Sequence, residues 1–174
     1  MEAPRALRLA TRGSRQARAQ SLAVAEAITA TTGRGVDLVE VDTVGDRRLD
    51  VPLHSIGGQG VFVKEVQRAV LDGRADLAVH SAKDLPSAPA DGLHLAAFCE
   101  RRDPADALVG RRLDDLDVGA TVATGSVRRR AQLARHRPDL RFVELRGNID
   151  TRLSKVPDGG AIVMAGAALE ILAR

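Results

Sequence analysis

Short apolar runs alternate with stretches of helical period along nearly the whole chain, and this alternation constrains the fold more than any other feature. Leu7–Ala10, Val36–Val41, Ala75–Val79, Leu93–Phe98, Thr121–Ala123, Phe142–Leu145 and Ala161–Met164 read as strands. Helical spacing covers Arg15–Thr31, with Leu22, Ala25 and Ile28 on one face. A second helix carries Phe62, Val66, Ala69 and Val70 as a stripe, and Gly73 stops it as a C′ residue. Ser126 is the expected N-cap of a helix reaching His136. Asn148–Lys155 reads as a short helix, and Ala165–Arg174 as the start of another. Strands alternating with helices imply an α/β architecture with mainly parallel sheets. The charged, proline-containing stretch Glu100–Pro104 is the expected boundary between a first lobe, 1–99, and a second, 100–174.

Composition narrows what such a fold does. With 44% hydrophobic and 28% charged residues among 174, the chain can bury a core and stay soluble, which excludes disorder. Only 2% of residues are aromatic, with neither Trp nor Tyr, and this argues against stacking platforms for single-stranded nucleic acid. Cys99 is the single cysteine, so an internal disulfide or a Cys-rich zinc site is excluded. Lying at the end of an apolar run, it is expected to be buried and inert. His54, His80, His94 and His136 have no ligand-like spacing, so no metal is expected. The first residues contain no apolar signal-like stretch, and no window approaches ~18 continuous apolar residues; a cytoplasmic protein without membrane partners is expected. Residues 128–155 hold nine basic side chains against three acidic ones, which points to an anionic partner. Arginine's planar fork suits carboxylate and phosphate alike, so charge alone does not choose between them.

Polar residues gather where strands end. Thr11-Arg12-Gly13-Ser14 follows the first strand and His80-Ser81-Ala82-Lys83-Asp84 the third; Thr124-Gly125-Ser126 with Arg128–Arg130, and Arg146-Gly147-Asn148, follow two later ones. In open parallel sheets ligands bind at the carboxyl ends of strands, where helix N-termini add donors and positive partial charge. The four exits together describe an anion-binding cleft between two lobes. Plainer readings exist for each piece. Ser14 and Ser126 serve equally as helix caps. Neighbouring side chains on a helix point ~100° apart, so Arg128, Arg129 and Arg130 cannot all face one ligand. His80 is either a satisfied buried histidine or a site residue. On the plainer reading Lys83 and Asp84 are no more than a surface ion pair. Gly57, Gly58 and Gly60 spell no Walker or dinucleotide motif and suit a mobile loop.

Read in order, several segments resemble the porphobilinogen deaminase (hydroxymethylbilane synthase) family. They are Leu9–Ser14, Gly45-Asp46 through Val51-Pro52-Leu53, Ile56–Glu65, Ala75–Pro86, Asp103–Ala107, Gly125–Arg129 and Leu145–Leu153. The resemblance spans nearly the whole chain. It implies two periplasmic-binding-protein-like lobes and tetrapyrrole (porphyrin, heme) biosynthesis by a deaminating transferase. The implied reaction is stepwise condensation of four porphobilinogen molecules to hydroxymethylbilane, built on a covalent dipyrromethane cofactor. Asp84 matches the catalytic carboxylate. Arg12, Lys83, Arg128, Arg129, Arg146 and Arg152 match positions that hold acetate and propionate groups, and Ser14, Ser81 and Ser126 match hydroxyls that assist. Gly57, Gly58, Gln59, Gly60 and Phe62 match a lid loop. Among these cations a carboxylate is expected to stay ionised.

Departures from the family pattern bound these expectations. Ser55 and Gln59 stand where many members have lysines. The family continues into a third domain carrying the cofactor cysteine, and Cys99 does not match that motif. The chain therefore reads as a fragment truncated before that domain, with an incomplete first sheet and possible self-association where a complete enzyme is a monomer; independent activity is not implied. Porphobilinogen and linear oligopyrroles are the expected partners, and nucleic acid is not. The alternative is a non-enzymatic anion-binding module that has lost the covalent cofactor.

Overall fold

The computed structural model describes residues 5–43, 45, 60 and 62–172. The chain divides into two compact units, residues 1–101 and 102–174. In the first, β1 (Leu7–Arg12) lies between β2 (Val36–Val41) and β3 (Leu77–Ala78), all parallel, with Leu9 beside both Leu38 and Leu77. Helices α1 (Arg15–Thr32) and α2 (Lys64–Leu71) flank this sheet. Its core is built from Ala10, Val41, Val66, Ala69 and Ala75, so small side chains let helix and sheet approach closely. Gly73, with φ at 69°, follows α2 in the left-handed region that a residue with a Cβ adopts at a cost.

Two polar ties fix this unit. The buried Ser21 hydroxyl on α1 donates to Thr11 Oγ1 on β1 at 2.7 Å, so neither oxygen is stranded in the interior. Asp76 accepts from the Arg8 backbone N–H at 2.8 Å and from both the Arg8 and Arg5 guanidinium groups. The Arg8 side-chain bond leads the effects that hold its carboxyl far below the usual carboxylate range.

The second unit has strand order β4-β7-β5-β6, where β4 is Asp106–Gly110, β5 Thr121–Ala123, β6 Arg141–Val143 and β7 Ala161–Ala165. β5 pairs in parallel with β6 and β7, while β4 pairs antiparallel to β7. Leu116, Val122, Leu140, Ala161 and Val163 form the core. Helices α3 (Val127–His136), α4 (Ile149–Leu153) and α5 (Gly166–Ile171) complete it. Both sheets are thus α/β and mainly parallel.

Three expectations from the sequence are corrected. Leu93–Phe98 is not a strand; it runs without regular structure, and Phe98 is 76% exposed. Cys99 at its end is exposed, not buried. On α1 Ala25 is buried as expected, but its companion there is Ser21, bonded to Thr11 on β1, while Leu22 is 47% exposed. β4 went unread as a strand.

Asp76→Asn is expected to lower the melting temperature at neutral pH. The native carboxyl is depressed, so its stabilisation is present above the unfolded value near 3.8 and is lost as pH falls through the lower native value. The gap between wild type and variant in thermal melts is therefore constant from pH 5 to 8 and closes in acid.

Candidate functional site

Parallel pairing places the carboxyl ends of β1 and β3 at one edge of the first sheet, and the polar residues that follow them converge there. A cleft of about 300 Å³, counting the part open to solvent, is lined by Arg12, Gln20, Phe62, His80, Ser81 and Asp84 with Ala17 and Val79. Ser14 caps α1: its Oγ accepts from the Ala17 N–H at 3.3 Å. Ser81 donates to Gln20 Oε1 on α1 at 3.1 Å. The guanidinium of Arg12 lies over the Phe62 ring, 4.1 Å from its centre, an arrangement that holds a cation at the cleft wall through the ring's negative face.

Asp84 ends a short 3-10 turn, Ala82–Asp84, and is half-buried; Lys83 beside it is exposed. Here burial acts against the cations that the sequence places around this carboxylate. Burial pushes the Asp84 carboxyl up, and the opposing pull of Lys83 and Arg12 does not offset it. A carboxyl perturbed by burial in a cleft is a candidate for proton exchange. His80 Nε2 is buried and has no hydrogen-bond partner, so His80 is not the satisfied core histidine that was one of its two readings. Burial first, and Arg12 second, push its imidazole down.

In the second unit the same topology gathers another set. β5, β6 and β7 are parallel, so their carboxyl ends share an edge, and antiparallel β4 brings Asp106 there opposite Ala165. Thr124 Oγ1 accepts from the Ser126 N–H at 3.2 Å, and Ser126 Oγ accepts from the Arg129 N–H at 3.4 Å as the cap of α3. A Cβ on Gly125 would stand 2.7 Å from the Leu145 carbonyl, which explains a glycine where the two strand exits close on each other. Arg129 grips Asp106 with both arms of its fork, at 2.8 and 2.6 Å. Arg128 and Arg130 are exposed, with Arg130 over Phe142 at 5.8 Å. Arg152 Nε donates to the Gly147 carbonyl at 2.7 Å, and half-buried Arg146 offers its own carbonyl to Lys155 at 3.3 Å.

The first turns of both long helices run against the usual charge rule. Neither α1 nor α3 has an acidic residue there, while Arg15 and Arg18 begin one and Arg128, Arg129 and Arg130 the other. Cations at the positive end of a helix dipole are unfavourable, by about 0.3–1 kcal/mol each where exposed. An anion bound at each end would reverse the sign of that interaction.

Of the residues singled out from sequence, Arg12, Ser81, Asp84 and Phe62 line the first-unit cleft, while Lys83 stands exposed next to Asp84 and Ser14 caps the adjoining helix. Ser126, Arg128 and Arg129 share the start of α3; Arg146 and Arg152 follow β6. Gly60 is described just before α2, while Ser55, Gly57, Gly58 and Gln59 lie outside the described residues. Gln20 and Asp106 were missed. Gln20 carried no signal of its own; Asp106 lies in the Asp103–Ala107 segment that resembles the family, but nothing in the sequence tied it to Arg129 without the antiparallel strand.

A family model described as porphobilinogen deaminase, dipyromethane cofactor binding domain, matches residues 7–174. The chain belongs to that family. Its place is in tetrapyrrole biosynthesis, and its domain is the one that binds dipyrromethane. The residues present fit such a group. A pyrrole N–H needs an acceptor, for which the Asp84 carboxylate is suited, and its carboxylate arms need cations such as the Arg12 guanidinium in the same cleft. Among the described residues no helix is long and apolar enough to cross a membrane.

Because burial raises the Asp84 carboxyl, the native state favours its protonated form relative to the unfolded chain. Stability is therefore given up as pH rises above the unfolded value of 3.8. Asp84→Asn is expected to melt higher than wild type at pH 7–8, with the difference vanishing below about pH 4 in the same thermal series.

Proposed function

We propose that this chain supplies the substrate-binding and catalytic lobes, 1–99 and 100–174, of a cytoplasmic hydroxymethylbilane synthase, a deaminating transferase that condenses four porphobilinogen molecules stepwise. The observation that carries this reading is the half-buried Asp84 carboxyl sharing a cleft with the Arg12 guanidinium. Porphobilinogen carries two carboxylates and one aminomethyl group, so it needs cations at its arms and a carboxylate at its nitrogens. Arg12, Lys83, Arg128, Arg129, Arg146 and Arg152 hold the acetate and propionate groups of porphobilinogen and its linear oligopyrroles, with Ser14, Ser81 and Ser126 assisting. Each charge-assisted bond contributes about 1.5–3 kcal/mol, enough in sum to retain a growing chain between additions.

As the aminomethyl C–N bond breaks, ammonia leaves with a proton and a cationic azafulvene remains. In this reading Asp84 passes a proton to the departing nitrogen, a form that burial of its carboxyl favours, and the resulting carboxylate stabilises the cation. The α-carbon of a second pyrrole then bonds to the exocyclic methylene and loses its proton. Dipyrromethane, when bound, supplies the first nucleophilic pyrrole carbon. Arg12, Lys83 and Asp84 hold it through its carboxylates and N–H groups.

The holoenzyme given porphobilinogen is expected to release ammonia and form hydroxymethylbilane, read as uroporphyrin after cyclisation and oxidation. Asp84→Asn should lower kcat by at least about a hundredfold while ligand-induced thermal stabilisation persists. Near-normal turnover in that variant overturns the role of Asp84. Stabilisation by porphobilinogen without any ammonia release from wild type would instead mark an anion-binding module.

A further inference from the structure

His80 is the cleft residue that the mechanism above leaves without a task. It follows β3 by two residues and its ring lines the cleft with Arg12, Gln20, Phe62, Ser81 and Asp84. Ser81 is engaged with Gln20 and Arg12 with the Phe62 face, while the Asp84 carboxylate is the other acceptor of the cleft. Nε2 alone is shielded from water with no partner. Buried nitrogens of this kind are few in native proteins, and one on a residue that lines a cleft is explained by a partner that arrives with the ligand and is met as the ring turns toward it. The chemistry of that partner follows from the field. Burial and the Arg12 charge both keep the imidazole neutral, and a neutral imidazole has one donor and one acceptor nitrogen. A positive neighbour favours the tautomer that turns a lone pair, not a proton, toward the cleft.

We infer that His80 Nε2 accepts a hydrogen bond from a pyrrole N–H of the ligand in this cleft, as a second acceptor beside Asp84. The inference rests on the pyrrole-binding reading above. A pyrrole N–H comes from either dipyrromethane or porphobilinogen, and the two are separable.

The imidazole ¹⁵N signals of the full chain are compared in three states: without dipyrromethane, with it, and with porphobilinogen added. His80 is assigned by the signal missing in His80→Gln. Nε2 is expected to be unprotonated at first and to move upfield in the second state if the cofactor is the donor, or in the third if the substrate is. An Nε2 that carries the proton, or stays unmoved while ligand saturates the protein, overturns the inference. His80→Phe should melt no lower than wild type without ligand yet bind porphobilinogen roughly five- to tenfold more weakly, and His80→Gln should restore affinity to within about twofold. A lower unliganded melt with unchanged affinity would make His80 structural and overturn the inference. Should wild type bind no porphobilinogen at all, the pyrrole-binding reading itself falls, an outcome distinct from tight binding with a silent His80.

Discussion

Parallel strand pairing is the constraint on which the rest of each unit depends. Once β1 pairs with β2 and β3 in one direction, every carboxyl end emerges on the same edge, and every following helix must begin there. The sequence then has only to place polar residues after strands for them to meet in space. Arg12 and Asp84 are far apart along the chain but line one cleft through this rule alone. In the second unit it gathers Ser126 and Arg146 at neighbouring exits, β5 and β6.

The same rule sets the cost. Strand exits and helix starts are where backbone donors lack partners, and both long helices meet that need with a serine cap while loading arginines into the first turn. A chain selected only for stability would carry Asp or Glu there. Burial of Asp84 is a second local penalty in the same place. Sites that bind anions and move protons are expected to carry such penalties, since the features that weaken the empty fold strengthen the occupied one.

How much of this was legible follows from what each signal measures. The helix Val127–His136 was read to the residue, because Ser126 is a strong cap and the charged stretch beyond it has no competing strand pattern. β2 and β5 were read equally well, being apolar runs bounded by turn residues. Leu93–Phe98 shows the limit. Its residues have the apolarity of a strand, but pairing requires a neighbour, and nothing within the run reveals whether one exists. The pairing of Asp106 with Arg129 was hidden for a related reason: it exists only because β4 runs against β7. The upward push on the Asp84 carboxyl comes from burial, a quantity that nearby arginines in the sequence do not report.

The grip of Arg129 on Asp106 has a consequence for how this protein senses charge. A guanidinium already holding a carboxylate does not simply add to the attraction felt by an arriving anion; an anion bound there would have to take the place of Asp106 and release it into solvent. Binding there becomes an exchange in which local net charge changes less than the number of arginines suggests. Such a position responds weakly to ionic strength and distinguishes ligands by the geometry of their carboxylates more than by how much charge they carry.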